Sequence, residues 1–226
     1  MSVRAALEKR LSGTWMTDAI FDKDCRACPR LAGYLDTVGE RYPDYYCKPV
    51  PPFGDQDAKL LIVGLAPGMH GANRTGRPFT GDHAGILLYQ TLHKFGFASH
   101  HESLAADDEL RLMNCRITNA VKCLPPENKP VGAEINTCNT FLGNELKTLP
   151  DASLLLALGG IAHRSIIRAL GLRQANYTFS HAAVHDLGRV RLLDSYHCSR
   201  YNTNTRRLTT EMFEAIFAQA RELLDK

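Results

Sequence analysis

No apolar stretch of the 226-residue chain reaches the ~18 residues that a membrane-spanning helix needs, so a bilayer-crossing architecture is not expected. The opening residues, Met1 to Gly13, lack the apolar core and cleavage site of a secretory signal, and the chain is expected to stay in the cytosol. Internal repeats and low-complexity segments are missing, which argues against a solenoid or a disordered tail. Charge of one sign is scarce: 27 Lys and Arg against 24 Asp and Glu leave a formal charge of +3, too small to mark or exclude a nucleic-acid binder. Tryptophan occurs once. Apolar residues make up 44% of the chain, enough for one sizeable core and a single domain over residues 1–226.

Four short runs rich in β-formers read as strands: Lys59 to Leu65, Cys115 to Val121, Ser153 to Leu158 and Val190 to Tyr196. Helical patterns follow them at Gly85–Phe95, Gly132–Leu146, Ile161–Leu170 and Thr210–Leu224. This alternation predicts an α/β fold, a three-layer α/β/α sandwich around a central four-stranded, mostly parallel sheet. Residues 1–58 form a leader, with a helix expected at Val3–Leu11 and an ordered loop over the Pro- and Tyr-rich stretch Tyr42–Phe53.

Ligands of open α/β sheets bind at the carboxyl ends of the strands, and here all four ends carry unusual residues. The first runs into Gly64-Leu65-Ala66-Pro67-Gly68 and then His70 to Asp82; the second holds Asn119 and reaches Cys123; the third ends in Gly159-Gly160; the fourth ends in His197-Cys198-Ser199-Arg200-Tyr201-Asn202. The Gly-rich loop is neither a Walker loop nor a dinucleotide fingerprint, which removes the usual nucleotide cofactors. Arg74 and Arg77, with Lys122, Lys129, Arg200, Arg206 and Arg207, are candidates to line a groove that tracks phosphates, although each taken alone is better read as an ordinary solvated cation. By contrast, His100-His101 and the acidic stretch Asp107-Asp108-Glu109 read as a solvated loop without assigned function.

The chain has seven cysteines, an odd number, and a reducing compartment disfavours disulfides, so the pattern is read first as metal chemistry. Cys25-x-x-Cys28, Cys123 and Cys138 offer four thiolates for zinc or an iron-sulfur cluster, and the spacing leaves the metal open. Cys28 and Cys138 also have a bland reading as buried small hydrophobes, as do Cys47, Cys115 and Cys198.

Together these residues resemble the iron-sulfur uracil-DNA glycosylases, most closely family five, the B-type branch. The resemblance rests on Gly64-Leu65-Ala66-Pro67-Gly68 through Gly81-Asp82, on Asn119-Ala120-Val121-Lys122-Cys123-x-Pro125-Pro126-x-Asn128-Lys129-Pro130, and on His197-x-Ser199-x-x-Asn202. It spans about Cys25 to Thr209. The resemblance implies a structural 4Fe-4S cluster on Cys25, Cys28, Cys123 and Cys138, and a partner in DNA containing uracil or another deaminated base.

An enzyme acting on a paired base must extrude it, stack it and bond its edge. Phe79 is the candidate stacking platform. Asn119 offers an amide donor and acceptor to O4 and N3–H of uracil, and His197 a donor to O2 as the base departs with its electrons. Gly64, Ala66, Pro67, Gly68 and Asn202 complete the expected base site; Arg74, Arg77, Ser199 and Arg200 are the expected DNA contacts. Many glycosylases carry Asp, Glu or Asn two residues after the first motif glycine; here Ala66 stands there. Asn73 or Asp82 is left to position the attacking water, and hypoxanthine and xanthine become plausible further substrates. No motif lysine is placed for Schiff-base attack, so a monofunctional monomer that leaves an abasic site is expected. Two competing classes are a non-catalytic nucleic-acid-binding metal module and a flavodoxin-like redox protein. Cys198 replaces the Pro often found after the motif histidine, which puts the stiffness of that loop in question.

Overall fold

The computed structural model describes residues 21–225. The helix expected at Val3–Leu11 lies outside the described residues. Chain order is α1 (Pro29–Arg41), β1 (Phe53–Gly54), β2 (Leu60–Gly64), α2 (Ala72–Thr75), α3 (His83–Lys94), β3 (Cys115–Asn119), α4 (Gly132–Thr148), β4 (Leu154–Leu158), α5 (Gly160–Ala169), β5 (Val184–Asp186), β6 (Arg191–Ser195), α6 (Arg200–Asn204) and α7 (Thr210–Leu224), with 3-10 turns at Pro126–Asn128 and Gln174–Asn176.

The sheet order is β1-β3-β2-β4-β6-β5. Its central four strands are parallel, with Leu60 opposite both Cys115 and Leu154, and Leu155 opposite Leu192. Every residue of β2 and β4 is buried, as expected for parallel strands covered on both faces. Along these strands alternate residues enter different cores. Leu60, Ile62, Ile117, Leu156 and Leu193 pack under α3 and α7, with Leu88, Leu92, Phe213 and Phe217. Leu61, Val63, Leu155 and Leu192 pack under α4 and α5, with Leu142, Leu146, Ile166 and Ile167. The three-layer sandwich is therefore present.

The expected four strands become six. β1 adds antiparallel to β3, and β5 adds antiparallel to β6 through a tight hairpin around Gly188. Neither carries an apolar run: β1 has two residues, and β5 is partly to fully exposed. The leader also holds a helix that no expectation covered. α1 starts on Pro29, whose missing N–H costs nothing at that position, and buries Leu31, Leu35 and Val38 on one stripe against Val121 and Leu124. Residues 42–52 form the expected loop.

Candidate active site

At the carboxyl edge of the parallel strands lies an open cavity of about 460 Å³, with Ala66, Phe79, Asp82, Asn119 and His197 in its wall. Gly64, at the end of β2, sets its floor. A Cβ at that position would lie 2.4 Å from Asn119 Oδ1 and 2.7 Å from Phe79 Cζ, so only glycine lets the amide and the ring close over the strand end. Phe79 itself has φ 54°, a left-handed conformation uncommon for a bulky residue. Its carbonyl is pressed against Gly85, where a Cβ would sit 1.8 Å from Phe79 O. Backbone strain is thus held at a residue that lines the cavity.

Asn119 is buried, and its Oδ1 has no hydrogen-bond partner among the described residues. His197 Nδ1 is likewise buried and unpartnered. Burial pushes the His197 imidazole down to about 4, so the ring is neutral at pH 7. The ring stacks on Phe79 with centroids 5.9 Å apart and planes at 29°. Asn202 Nδ2 donates to His197 O at 2.8 Å, and Ser199 Oγ caps α6 by accepting from Asn202 N. Cys198, fully buried in the core, anchors the same loop in place of a stiffening proline. Asp82 caps α3 through Gly85 N at 2.9 Å, and burial raises its carboxyl above the usual carboxylate range. His83 Nε2 lies 3.0 Å from Thr203 Oγ1 and ties the start of α3 to α6. His83 also lines the cavity, and no spacing signal singled it out. The arrangement can stack a planar ring, pair a polar edge through an amide, and present a neutral imidazole to developing negative charge.

The sequence matches the family model described as the uracil DNA glycosylase superfamily over residues 51–221. The chain belongs to this superfamily, on its type-5 branch. Among curated relatives, the type-5 uracil-DNA glycosylase of Thermus thermophilus is 46% identical over 205 residues, covering 88% of this chain and 93% of that protein. The type-5 uracil-DNA glycosylase of Pyrobaculum aerophilum is 40% identical, covering 87% and 88%. That of Mycobacterium bovis is 43% identical, covering 88% and 78%.

On this glycosylase framework the expected residues separate. Ala66, Gly68, Phe79, Asp82, Asn119, His197, Ser199 and Arg200 come together around the cavity. Gly64 shapes it from beneath. Pro67 is buried in the chain after β2, and Asn202 works on the His197 backbone without lining the wall. Asn73 is not in the wall: it is fully buried, with Nδ2 3.5 Å from Cys47 Sγ, whereas Asp82 does line the cavity.

The basic residues sort in the same way. Arg74 and Arg200 are exposed and line an adjoining groove of about 760 Å³ that shares Gly68, Asp82 and His83 with the cavity. Arg77 does not serve the expected groove. It is buried, ion-paired with Asp108, bonded to Ser103 Oγ at 3.2 Å and Ala106 O at 2.6 Å, and lies 4.4 Å over the Phe53 ring. Asp108 is therefore a structural partner and not part of a solvated acidic loop. Lys122 is also removed from the groove, being buried with Thr118 and Glu145 as partners.

Cys28, Cys123 and Cys138 border one small apolar cluster with Leu31 and Val121, and Cys25 is near enough to act electrostatically on Cys123. Burial, followed by the negative influence of Cys138, Cys25 and Cys28, pushes the Cys123 thiol up to about 12. Burial pushes Cys138 up to about 11, while Lys122, whose N–H donates to Cys138 Sγ at 3.2 Å, acts the other way. Arg30 grips Glu134 through two bonds of 2.8 Å, pinning the start of α1 beside the start of α4. Among the described residues no three of these sulfurs gather within 4.8 Å of one another. The four are too widely spaced for one tetrahedral ion with bonds of about 2.3 Å.

Proposed function

We propose that this chain flips uracil out of DNA, and hydrolyses its N-glycosidic bond to leave an abasic site without nicking the strand. The observation that carries this reading is the cavity where an unpartnered buried amide, a strained aromatic platform and a neutral buried imidazole meet. Buried polar groups are nearly always satisfied, so two orphans in one wall argue for a partner that arrives with the substrate. The extruded base stacks on Phe79, and Asn119 pairs with its O4 and N3–H. As the bond lengthens, negative charge gathers on the base, and a ring N–H of His197 donates to O2. Asn202 and Ser199 hold the histidine loop, and Asp82 orients the water that attacks the sugar. Arg74, Ser199 and Arg200 contact the backbone beside the vacated position.

Small Ala66 leaves room for larger rings, which supports hypoxanthine and xanthine as further substrates. Cys25, Cys28, Cys123 and Cys138 would hold a 4Fe-4S cluster, a reading supported by the mutual electrostatic influence of these thiols and by the resemblance that singled them out. When bound, that cluster supplies a staple between α1 and α4 and no redox step. The chain works as a monomeric single domain in the cytosol, at the nucleoid; among the described residues no helix is long and apolar enough to cross a membrane.

The deciding experiment incubates the purified, iron-containing protein with duplexes carrying one U, hypoxanthine, xanthine or T, followed by alkali and strand sizing. Alkali-dependent cleavage at the deaminated bases and not at T is the expected result. Intact strands with retained DNA binding would instead favour a non-catalytic module, and scission without alkali would remove the monofunctional reading. Iron and acid-labile sulfide in equal amounts, lost together in Cys123→Ser, are expected for the cluster.

A further inference from the structure

Away from the cavity, three chemically matched side chains converge from three elements: His163 on α5, His185 on β5 and Asp194 on β6. Each offers one ligand atom within 4.8 Å of the other two. Their side chains are 2%, 13% and 0% exposed, so this is a built interior site and not a surface cluster. None of the three lines the base cavity, and the proposed reaction uses none of them.

We infer that His163, His185 and Asp194 bind one divalent transition cation of the Zn²⁺ class, separate from the cysteine quartet. The first support is geometric. His163 Nδ1 lies 2.8 Å from Asp194 Oδ1, and His185 Nε2 lies 3.0 Å from Asp194 Oδ2. Ligand atoms bonded at about 2.0–2.2 Å around a tetrahedral ion lie about 3.3–3.6 Å apart, so the two contacts need open by only about 0.5 Å to admit one. The second support is the proton already committed on His163. Its Nε2 lies 2.9 Å from Tyr177 O, and a carbonyl oxygen only accepts, so Nε2 keeps its hydrogen. That hydrogen bond holds the proton on Nε2 and leaves Nδ1 facing Asp194, as a backbone carbonyl on the far ring nitrogen does for metal-bound histidines. Ser180 N donates to Asp194 Oδ2 at 3.4 Å and helps orient it.

Two imidazoles and one carboxylate suit zinc and its neighbours and not calcium or magnesium, which prefer all-oxygen shells. The partial exposure of His185, on the edge strand, provides the entry path. A bound ion would tie the β5–β6 hairpin and residues 177–183 to α5, fastening an edge that β5 pairs through only three residues.

The test uses the full chain with its iron in place, dialysed against Zn²⁺ and then against metal-free buffer. One retained zinc per chain is expected, with X-ray absorption showing only N and O ligands at about 2.0–2.2 Å. His185→Ala, an edge-strand change, should abolish retention and also remove the rise in thermal midpoint that zinc confers on the parent. No zinc retained, a sulfur shell near about 2.3 Å, or equal retention in His185→Ala would each overturn the assignment. The absorption measurement on the unaltered protein decides the matter even where the variant folds poorly.

Discussion

Two polar regions flank the same loop after β2, and they are built in opposite ways. Around Arg77 the polar groups find partners: the guanidinium reaches Asp108, Ser103 and Ala106, Ser103 Oγ lies 2.7 Å from Thr80 Oγ1, and Tyr89 donates to Pro78 O at 2.9 Å. Around Phe79 the reverse holds, with Asn119 Oδ1 and His197 Nδ1 buried and unmatched. A satisfied network spends its hydrogen bonds on holding the fold, while an unsatisfied one keeps them for a ligand. The difference teaches that residue type says less about role than whether the side chain's bonds are already made.

Mutation can break or sharpen this contrast. The largest effect is expected for His197→Ala, which should slow single-turnover uracil release by about 10²–10³-fold while DNA affinity holds; undiminished release would remove the histidine from the mechanism. Gly64→Ala should follow at about 10²-fold, because the added methyl displaces Asn119 and Phe79 together and small misplacements at a reacting centre are costly. Wild-type release from a folded Gly64→Ala protein would show that the close approach is unimportant. On the satisfied side, Arg77→Met should lower stability by roughly 2–4 kcal/mol in urea unfolding and leave the salt dependence of DNA binding unchanged. Arg200→Ala should do the opposite, keeping the thermal midpoint and reducing the salt slope by about one.

The smallest effect is a pH dependence. His197 sits near 4 in the folded chain against an ordinary 6.5, so the unfolded chain binds more protons between those values. Stability from this group is complete above about pH 6.5 and declines as pH falls toward 4. Urea titrations of the parent and His197→Gln across that window should show the variant with a shallower decline. A parallel decline would mean that the ring is not buried neutral.

Much of this architecture was legible in the sequence. The four parallel strands lie within one or two residues of their apolar runs, because strands buried on both faces must be continuously apolar. Phe79, Asn119, Asp82 and His197 were legible as a group because they follow strand ends that topology brings to one edge. What escaped was set by distant partners. Nothing local distinguishes Arg77 from Arg74, yet one finds Asp108 and the other stays exposed. The helix at α1 carried its signal in Pro29 and the Leu31, Leu35, Val38 stripe, diluted by Gly33 and Gly39 within it. The edge strands β1 and β5 had no pattern to read, since pairing with a finished sheet creates them.

Ala66 stands where two structures share a wall: it lines the cavity and also packs on the cluster of Leu31, Val121 and Cys138 beside the cysteine quartet. An engineer who enlarges residue 66 to narrow the range of accepted bases therefore pushes on the packing around the thiols with the same methyl groups. If these thiols hold the proposed cluster, substrate scope and its retention become a single design variable, and libraries at position 66 should be screened for iron content as well as for turnover.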